Sequence, residues 1–352
     1  MTALASLLIR RITETGPITL ADYMAECLFH PTHGYYTTRE PFGAQGDFTT
    51  APEISQMFGE MLGLCLAQGW LDQGAPAPFT LAELGPGRGT LMADVLRATR
   101  GVPGFHEGMQ VSLLEASPRL RTMQRAALAD YQVTWVDDVM GLPEAPLFLL
   151  ANEFFDALPI RQFTRVGQAW AETMIGVNSG RLTLGLVAPV PLGLLSHRLM
   201  DTAAGDVVEV CPAASAIMAT IGATITRYGG AALIVDYGGW PSLGDTFQAL
   251  RQHGFADPVA APGLADLTAH VDFAALTTAA HPARAIYITQ GQFLLALGID
   301  ARAAALAARL QGDALQSHHA ALHRLTAPGE MGQLFKVLAL TPPEAPPLPG
   351  TA

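Results

Sequence analysis

The chain has 352 residues, a formal net charge of −11 and hydrophobic side chains at half of its positions. That length suits one large domain with additions, or two lobes, and the apolar content is ample for a core. The acidic balance argues against a nucleic-acid backbone as partner, and no apolar run approaches the roughly 20 residues of a membrane span.

In chain order, Met1 to Ile12 has the spacing of an amphipathic helix, with Leu4, Leu7, Leu8 and Ile12 on one side. It lacks the long apolar segment and cleavage site of a secretory signal, so the chain reads as soluble and cytoplasmic. Ile18 to Leu28 is helical in period. Glu53 to Leu71 reads as a longer helix with Ile54, Met57, Phe58, Met61, Leu62 and Leu64 on its apolar face. Gly34 to Pro52, between them, has no period and reads as a loop. Residues 1–75 thus form an N-terminal helical extension carrying an active-site loop, and Ala75-Pro76-Ala77-Pro78 is a linker.

From residue 76 to 341 the pattern is α/β. Strands are expected at Phe79–Leu84, Gln110–Leu114, Val133–Val136 and Leu147–Ala151, with helices at Thr90–Arg100 and Pro118–Ala129. Alternation of this kind builds a Rossmann-like, doubly wound parallel sheet. It is interrupted at about 157–210 by an inserted β-rich lobe, whose strands Arg161–Val166, Ala169–Val177 and Arg181–Val187 form a meander. The α/β pattern resumes with a helix near Ala213–Tyr228 and strands at Ala232–Asp236, Ala285–Thr289 and Leu334–Leu340. The proline-rich tail, 342–352, reads as disordered.

The strongest local signal is Glu83-Leu84-Gly85-Pro86-Gly87-Arg88-Gly89-Thr90, between the first strand and its helix. Gly85, Gly87 and Gly89 allow a sharp turn and close approach of backbone to a ligand. The order G-x-G-x-G differs from the G-x-G-x-x-G that presents helix N–H groups to a pyrophosphate. A carboxylate two residues before the first glycine suits a ligand with a charged amine and no phosphate, as S-adenosylmethionine is. Glu115 follows the second strand, where a carboxylate can take both ribose hydroxyls. Asp137 and Asp138 follow the third, where one could accept the adenine amino group, although a helix N-cap is the alternative for Asp138. Asn152 and Glu153 follow the fourth. All these positions lie at the carboxyl ends of parallel strands, the rule for ligand clefts in open α/β sheets.

Longer motifs go further. Gly46-Asp47-Phe48-Thr49-Thr50-Ala51-Pro52-Glu53-Ile54-Ser55-Gln56-Met57-Phe58-Gly59-Glu60, the glycine loop, and Asn152-Glu153-Phe154-Phe155-Asp156-Ala157-Leu158-Pro159 resemble the MidA family. So do Val208-Glu209-Val210-Cys211-Pro212, Val235-Asp236-Tyr237-Gly238, Ala265 to Phe273, and Gly291-Gln292-Phe293-Leu294. The resemblance runs from about Pro17 to Leu340. It implies a class I S-adenosylmethionine-dependent methyltransferase. Mitochondrial members act in complex I assembly, so it also implies symmetric dimethylation of an arginine on a peripheral-arm subunit of NADH:ubiquinone oxidoreductase. The sequence departs from the expected pattern at Asn152, where eukaryotic members are expected to carry His.

An arginine acceptor needs carboxylates that clamp and polarise its guanidinium and manage the proton it loses. Glu153 and Asp156, flanking Phe154-Phe155, are one candidate pair; Asp47 and Glu53, carried by the family motif, are the other. For Glu153 and Glu53 the alternative is an acid favoured in the first turn of a helix. His30 with His33, and His319 with His323, lack convergent metal ligands, and the three cysteines have no ligand spacing. Three other functions share parts of this pattern. A small-molecule methyltransferase would keep every cofactor residue. A non-catalytic assembly factor would not need the intact Glu83 loop and Glu115. A nicotinamide-dependent oxidoreductase is disfavoured by the glycine spacing.

Overall fold

A computed structural model describes residues 1–39, 49–252 and 254–351. The chain divides into two compact units. The first comprises Met1–Phe48, Asp156–Ala214 and Gly239–Ala274; the second comprises Thr49–Phe155, Ser215–Gly238 and Ala275–Ala352.

The second unit is built on seven strands: β1 (Phe79–Leu84), β2 (Met109–Leu114), β3 (Val133–Val136), β4 (Leu147–Asn152), β5 (Gly230–Gly239), β6 (Arg284–Thr289) and β7 (Phe335–Thr341). Their spatial order is β3-β2-β1-β4-β5-β7-β6. The first five in space pair in parallel, and β7 runs antiparallel to both β5 and β6. Every residue of β1 and of β4 is buried, which explains why Leu147–Ala151 reads as a continuous apolar run rather than an alternating one. The order reverses between β1 and β4, the switch point at which open α/β sheets bind ligands.

Before β1 come two helices, α1 (Ala51–Ile54) and α2 (Gln56–Asp72). The sequence suggests a single helix here. Ser55 divides it: its backbone is extended, and its hydroxyl accepts from Met57 N, restarting the helix at Gln56. Helix α3 (Thr90–Thr99) follows β1, and α4 (Pro118–Ala127) follows β2 with Ser117 as its N-cap. The apolar faces of α2 and α3 pack into one core with β1, β4 and β7.

The tail expected to be disordered is packed. Leu348 is 2% exposed and belongs to the same core, and Pro349 O accepts from the Cys65 thiol. A side chain placed at Gly69 would strike Leu348, so the glycine makes the seat for that leucine. Burying one leucine contributes about 2 kcal/mol, enough to fix a short tail whose prolines already restrict it.

The first unit draws on three stretches of chain. Helices Ala3–Thr15 and Leu20–Phe29 bury Leu4, Leu8, Ile12, Tyr23 and Met24 with Ile175 and Leu182 of the meander. The meander strands are Arg161–Val166, Ala169–Asn178 and Arg181–Leu186, all antiparallel, with Val207–Val210 on the far side of the first. Ile18–Thr19, expected within a helix, instead extends this sheet, because Thr19 and Asp22 form a capping box that starts the helix at Leu20. A second sheet of three short strands, Gln248–Arg251, Gly254–Ala256 and Asp266–Thr268, completes the unit. The expected boundaries at 75 and at 157–210 therefore differ from the observed ones. The described residues up to 39 join the inserted lobe, and so do those of 239–274, because their apolar side chains share its core rather than that of the parallel sheet.

Candidate active site

The glycine loop leaves β1 in left-handed backbone: φ is +62° at Gly85, +53° at Gly87 and +86° at Gly89. Only glycine adopts three such values without cost. At Gly85 a Cβ would also sit 2.8 Å from the Phe154 ring. The loop is tied to the sheet by Gly85 N donating to Leu114 O at 3.0 Å, and turned by Gly89 N donating to Pro86 O at 2.7 Å.

Glu83, the last acid of β1, is 3% exposed. Met92 offers it a backbone hydrogen bond from the first turn of α3, yet its Oε2 has no hydrogen-bond partner among the described residues. Burial, with the nearby Glu115 carboxylate adding to it, pushes its carboxyl up to about 8. A buried carboxylate oxygen without a donor is costly in an isolated fold. A cationic ligand would remove that cost.

Glu115 follows β2. Its Oε1 accepts from Ser117 N at 2.7 Å and its Oε2 from Gln124 Nε2 at 3.2 Å. Burial raises its pKa, and these bonds work against the rise. Each oxygen keeps a second lone pair that can accept a hydroxyl. Arg121 donates from Nε to the Glu115 carbonyl at 2.7 Å, and its Nη2 pairs with Asp137 at 2.6 Å. Asp137 is exposed in this pairing. Asp138 takes the alternative role: its Oδ1 accepts from Gly141 N at 3.0 Å, capping the 3-10 turn Val139–Gly141. At this strand end Asp138 is therefore engaged as a cap, and Asp137 is the exposed acid.

Across the switch point, Asn152 ends β4 and is 8% exposed. Its Nδ2 donates to Glu153 Oε1 at 3.1 Å, and its Oδ1 has no partner among the described residues. Glu153 stands at φ +51°, left-handed backbone that costs about 1 kcal/mol or more for a side chain of this kind. Its surroundings hold it there. Glu153 N donates to Val235 O at 2.9 Å, and Oε1 also accepts from Ala51 N at 3.1 Å, satisfying an amide at the start of α1. Glu153 is thus not an acid in the first turn of its own helix; it caps a different one. Phe154 lies over Gly85 and meets Phe155 edge to face at 5.2 Å.

Glu53, expected to pair with Asp47 as a substrate clamp, turns to the glycine loop instead. Its Oε1 accepts from Thr90 Oγ1 at 2.6 Å and its Oε2 lies 3.6 Å from Arg88 Nη1. Asp47 lies outside the described residues. Asp156 falls in the first unit and is 6% exposed; its carbonyl accepts from Ala269 N at 3.0 Å. In the same unit Tyr36 donates to Asp266 Oδ1 at 2.9 Å, and burial with the fields of Asp266 and Asp156 holds the Tyr36 hydroxyl far above its ordinary range. Tyr36, within the stretch read as a loop, lies instead in the short helix Tyr35–Thr38 and is part of an acidic cluster.

Two residues of the second unit were missed. Asp236, fully buried at the end of the apolar part of β5, accepts from Phe155 N at 3.0 Å and Tyr237 N at 2.9 Å, fixing the turn beyond Glu153. A carboxylate closing an apolar strand was the available signal. The other is Gln124, a polar residue where the stripe of α4 calls for an apolar one. Among the described residues, no group of three His, Cys, Asp or Glu is placed to hold a metal ion.

A doubly wound sheet with a glycine loop after β1, an acid after β2 and polar groups after β4 defines a nucleoside-binding transferase of the class I methyltransferase type. The comparisons name the family. The profile of the S-adenosyl-L-methionine-dependent methyltransferases matches residues 61–288, and the chain belongs to that family. It is 36% identical over 372 residues to the protein arginine methyltransferase NDUFAF7, mitochondrial, of Xenopus tropicalis, covering 97% of this chain and 86% of that one. The Homo sapiens protein of the same name is 35% identical, with 95% and 82% covered. A solved structure from Burkholderia thailandensis, described as a COG1565 superfamily member and likely methyl transferase bound to S-adenosyl-homocysteine, superposes with a TM-score of 0.84 at 30% identity, over 99% of this chain and 94% of that one. The chain is an S-adenosylmethionine-dependent methyltransferase. The unpartnered Glu83 oxygen, the left-handed glycines and the Glu115 carboxylate fit that donor's ammonium, backbone and ribose.

Proposed function

We propose that the enzyme methylates an arginine side chain of another protein. The observation that carries this reading is Glu153, held in strained backbone at the end of β4 beside the unpartnered amide oxygen of Asn152. Strain of this kind is retained where the surrounding structure enforces a functional geometry. A carboxylate next to a neutral amide acceptor suits a flat cation with several N–H groups, which is what a guanidinium is.

The donor supplies a methyl group on a sulfonium, a good leaving group. The protein's task is orientation and charge. Glu153 holds the guanidinium and favours the nitrogen that attacks, and the same carboxylate takes up the proton released afterwards. Glu53 steadies the loop that holds the donor, through Thr90 and Arg88. The net charge of −11 favours approach of a basic segment. The arginine methyltransferase names of the relatives support the acceptor. The family resemblance supports a peripheral-arm subunit of NADH:ubiquinone oxidoreductase as the protein that carries it.

The test is incubation with methyl-labelled S-adenosylmethionine and a lysate, followed by mass-spectrometric mapping. Label in methylarginine of one or a few proteins is expected. Label confined to small molecules would overturn the acceptor and leave the donor site standing.

A further inference from the structure

One buried amide in the second unit is explained by no strand-end acid. Gln124 is fully buried on α4, four residues after Leu120, and these two are the buried residues of that helix. A glutamine amide has two N–H donors and an acceptor oxygen, each of which needs a partner once water is excluded. All three are matched. Nε2 donates to Gly87 O at 2.8 Å and to Glu115 Oε2 at 3.2 Å, and Oε1 accepts from Trp135 Nε1 at 2.8 Å. One side chain thereby joins the loop after β1, the acid after β2 and strand β3. The helix backbone packs there as well: a Cβ at Gly89 would lie 3.5 Å from both Cα and Cγ of Gln124. Packing alone does not ask for an amide, since methionine has nearly the same length and volume and would continue the apolar stripe.

We propose that Gln124 is a positioning residue for the methyl donor, fixing the Gly87 carbonyl and the Glu115 carboxylate in one arrangement before the donor arrives. The proposal rests on the assignment of the donor to the glycine loop and Glu115. A glycine at φ +53° has many competing conformations, so a loop built from such residues loses entropy when a ligand orders it. Holding its carbonyl in advance removes part of that cost, and the gain falls on affinity rather than on the chemical step. The same amide N–H favours the ionised form of Glu115 against burial, keeping it an acceptor. Trp135 reports on the arrangement: it donates to Gln124, and the Arg125 guanidinium lies 4.6 Å over its ring.

The test uses Gln124→Met, which keeps shape and loses all three hydrogen bonds, and Gln124→Glu, which keeps the acceptor and loses the donors. Calorimetric affinity for S-adenosylmethionine and S-adenosyl-homocysteine is measured beside kcat, KM and melting temperature. Loss of two donor contacts should weaken both ligands about tenfold in Gln124→Met and more in Gln124→Glu, where a second carboxylate faces Glu115. KM for the donor should rise in step, with kcat at saturating donor within about twofold of wild type. A lower melting temperature with unchanged donor affinity would overturn the proposal and leave Gln124 a packing residue. If neither variant folds, Trp135→Phe keeps the ring and releases the amide; it should still weaken the donor about threefold, and unchanged affinity there would count against the idea. Gly87→Val serves as the reference. Normal affinity in Gly87→Val would remove the donor from this loop altogether. Lost affinity there with normal affinity in Gln124→Met would overturn only the role of Gln124.

Discussion

Each unit buries a glutamate at a strand, and the two are treated differently. In the first unit Glu209 is 8% exposed and accepts from Gln162 Nε2 at 3.0 Å, Thr246 N at 3.0 Å, Phe247 N at 3.2 Å and the Thr246 hydroxyl. In the second, Glu83 is 3% exposed and keeps an oxygen with no partner among the described residues. Glu209 joins the meander to the segment that precedes the small sheet, and every donor near it is its own. Glu83 lies at the carboxyl end of a parallel strand, next to a loop of left-handed glycines. The difference teaches how to read a buried acid: a satisfied one is architecture, and an unsatisfied one at a strand end is one half of a ligand contact.

The sharpest way to break this contrast is Gly87→Val. A branched side chain at φ +53° both strains the loop and fills the space beside it, so donor affinity should fall by about a hundredfold or more while circular dichroism stays native. Calorimetry showing wild-type affinity in a folded variant would place the donor elsewhere.

Next comes Glu153→Gln, which retains an acceptor for Ala51 N and removes the charge. Turnover in single-turnover methylation should drop by roughly a hundredfold, with donor affinity changed far less. Near-normal turnover would end the assignment of Glu153 to the acceptor; a parallel loss of donor affinity would move it to the donor side.

In the first unit, Glu209→Ala leaves the backbone amides of Thr246 and Phe247 without their acceptor. It should cost about 2 kcal/mol or more of stability in denaturant unfolding, with donor affinity unchanged. A donor-binding defect at native stability would erase the distinction between the two glutamates.

The smallest effect is a matter of protons. With its pKa raised to about 8, Glu83 is mostly protonated at pH 7 in the unliganded enzyme. The stability that goes with its raised pKa is fully present below the ordinary carboxylate range and is lost as pH rises through about 8. Melting temperature without ligand should therefore decline between pH 5 and 8, and Glu83→Gln should flatten that decline. An ammonium beside Glu83 favours its ionised form, so donor binding at pH 7 should release up to about one proton, and none well above pH 9. Binding enthalpies at pH 7 that do not vary with the buffer's ionisation enthalpy would rule out this linkage.

The parallel core was legible in the chain because its signals are local. The apolar run at Leu147–Ala151 and the short stretch at Phe79–Leu84 closed by a glycine turn read as buried strands, and Gly85, Gly87 and Gly89 mark a turn that other residues strain to make. Strand ends then placed Glu83, Glu115, Asn152 and Glu153 without any knowledge of contacts. Asp138 shows the limit, since an acid after a strand can cap a turn or face a ligand, and the choice depends on where Gly141 N points.

What the sequence determined by itself was the set of elements, the order of chemistry along them and the family they belong to. Tertiary structure alone decided three things: that residues up to 39 join the inserted lobe, that Leu348 anchors the tail on Gly69, and which buried polar atoms are left for a ligand. The reason is physical. Secondary structure follows from side-chain period and backbone sterics, which act between neighbours in sequence. Burial and hydrogen-bond satisfaction are settled between residues far apart in the chain: Gln124 reaches Gly87 across 37 positions and Glu153 reaches Ala51 across 102. No window of sequence contains both partners.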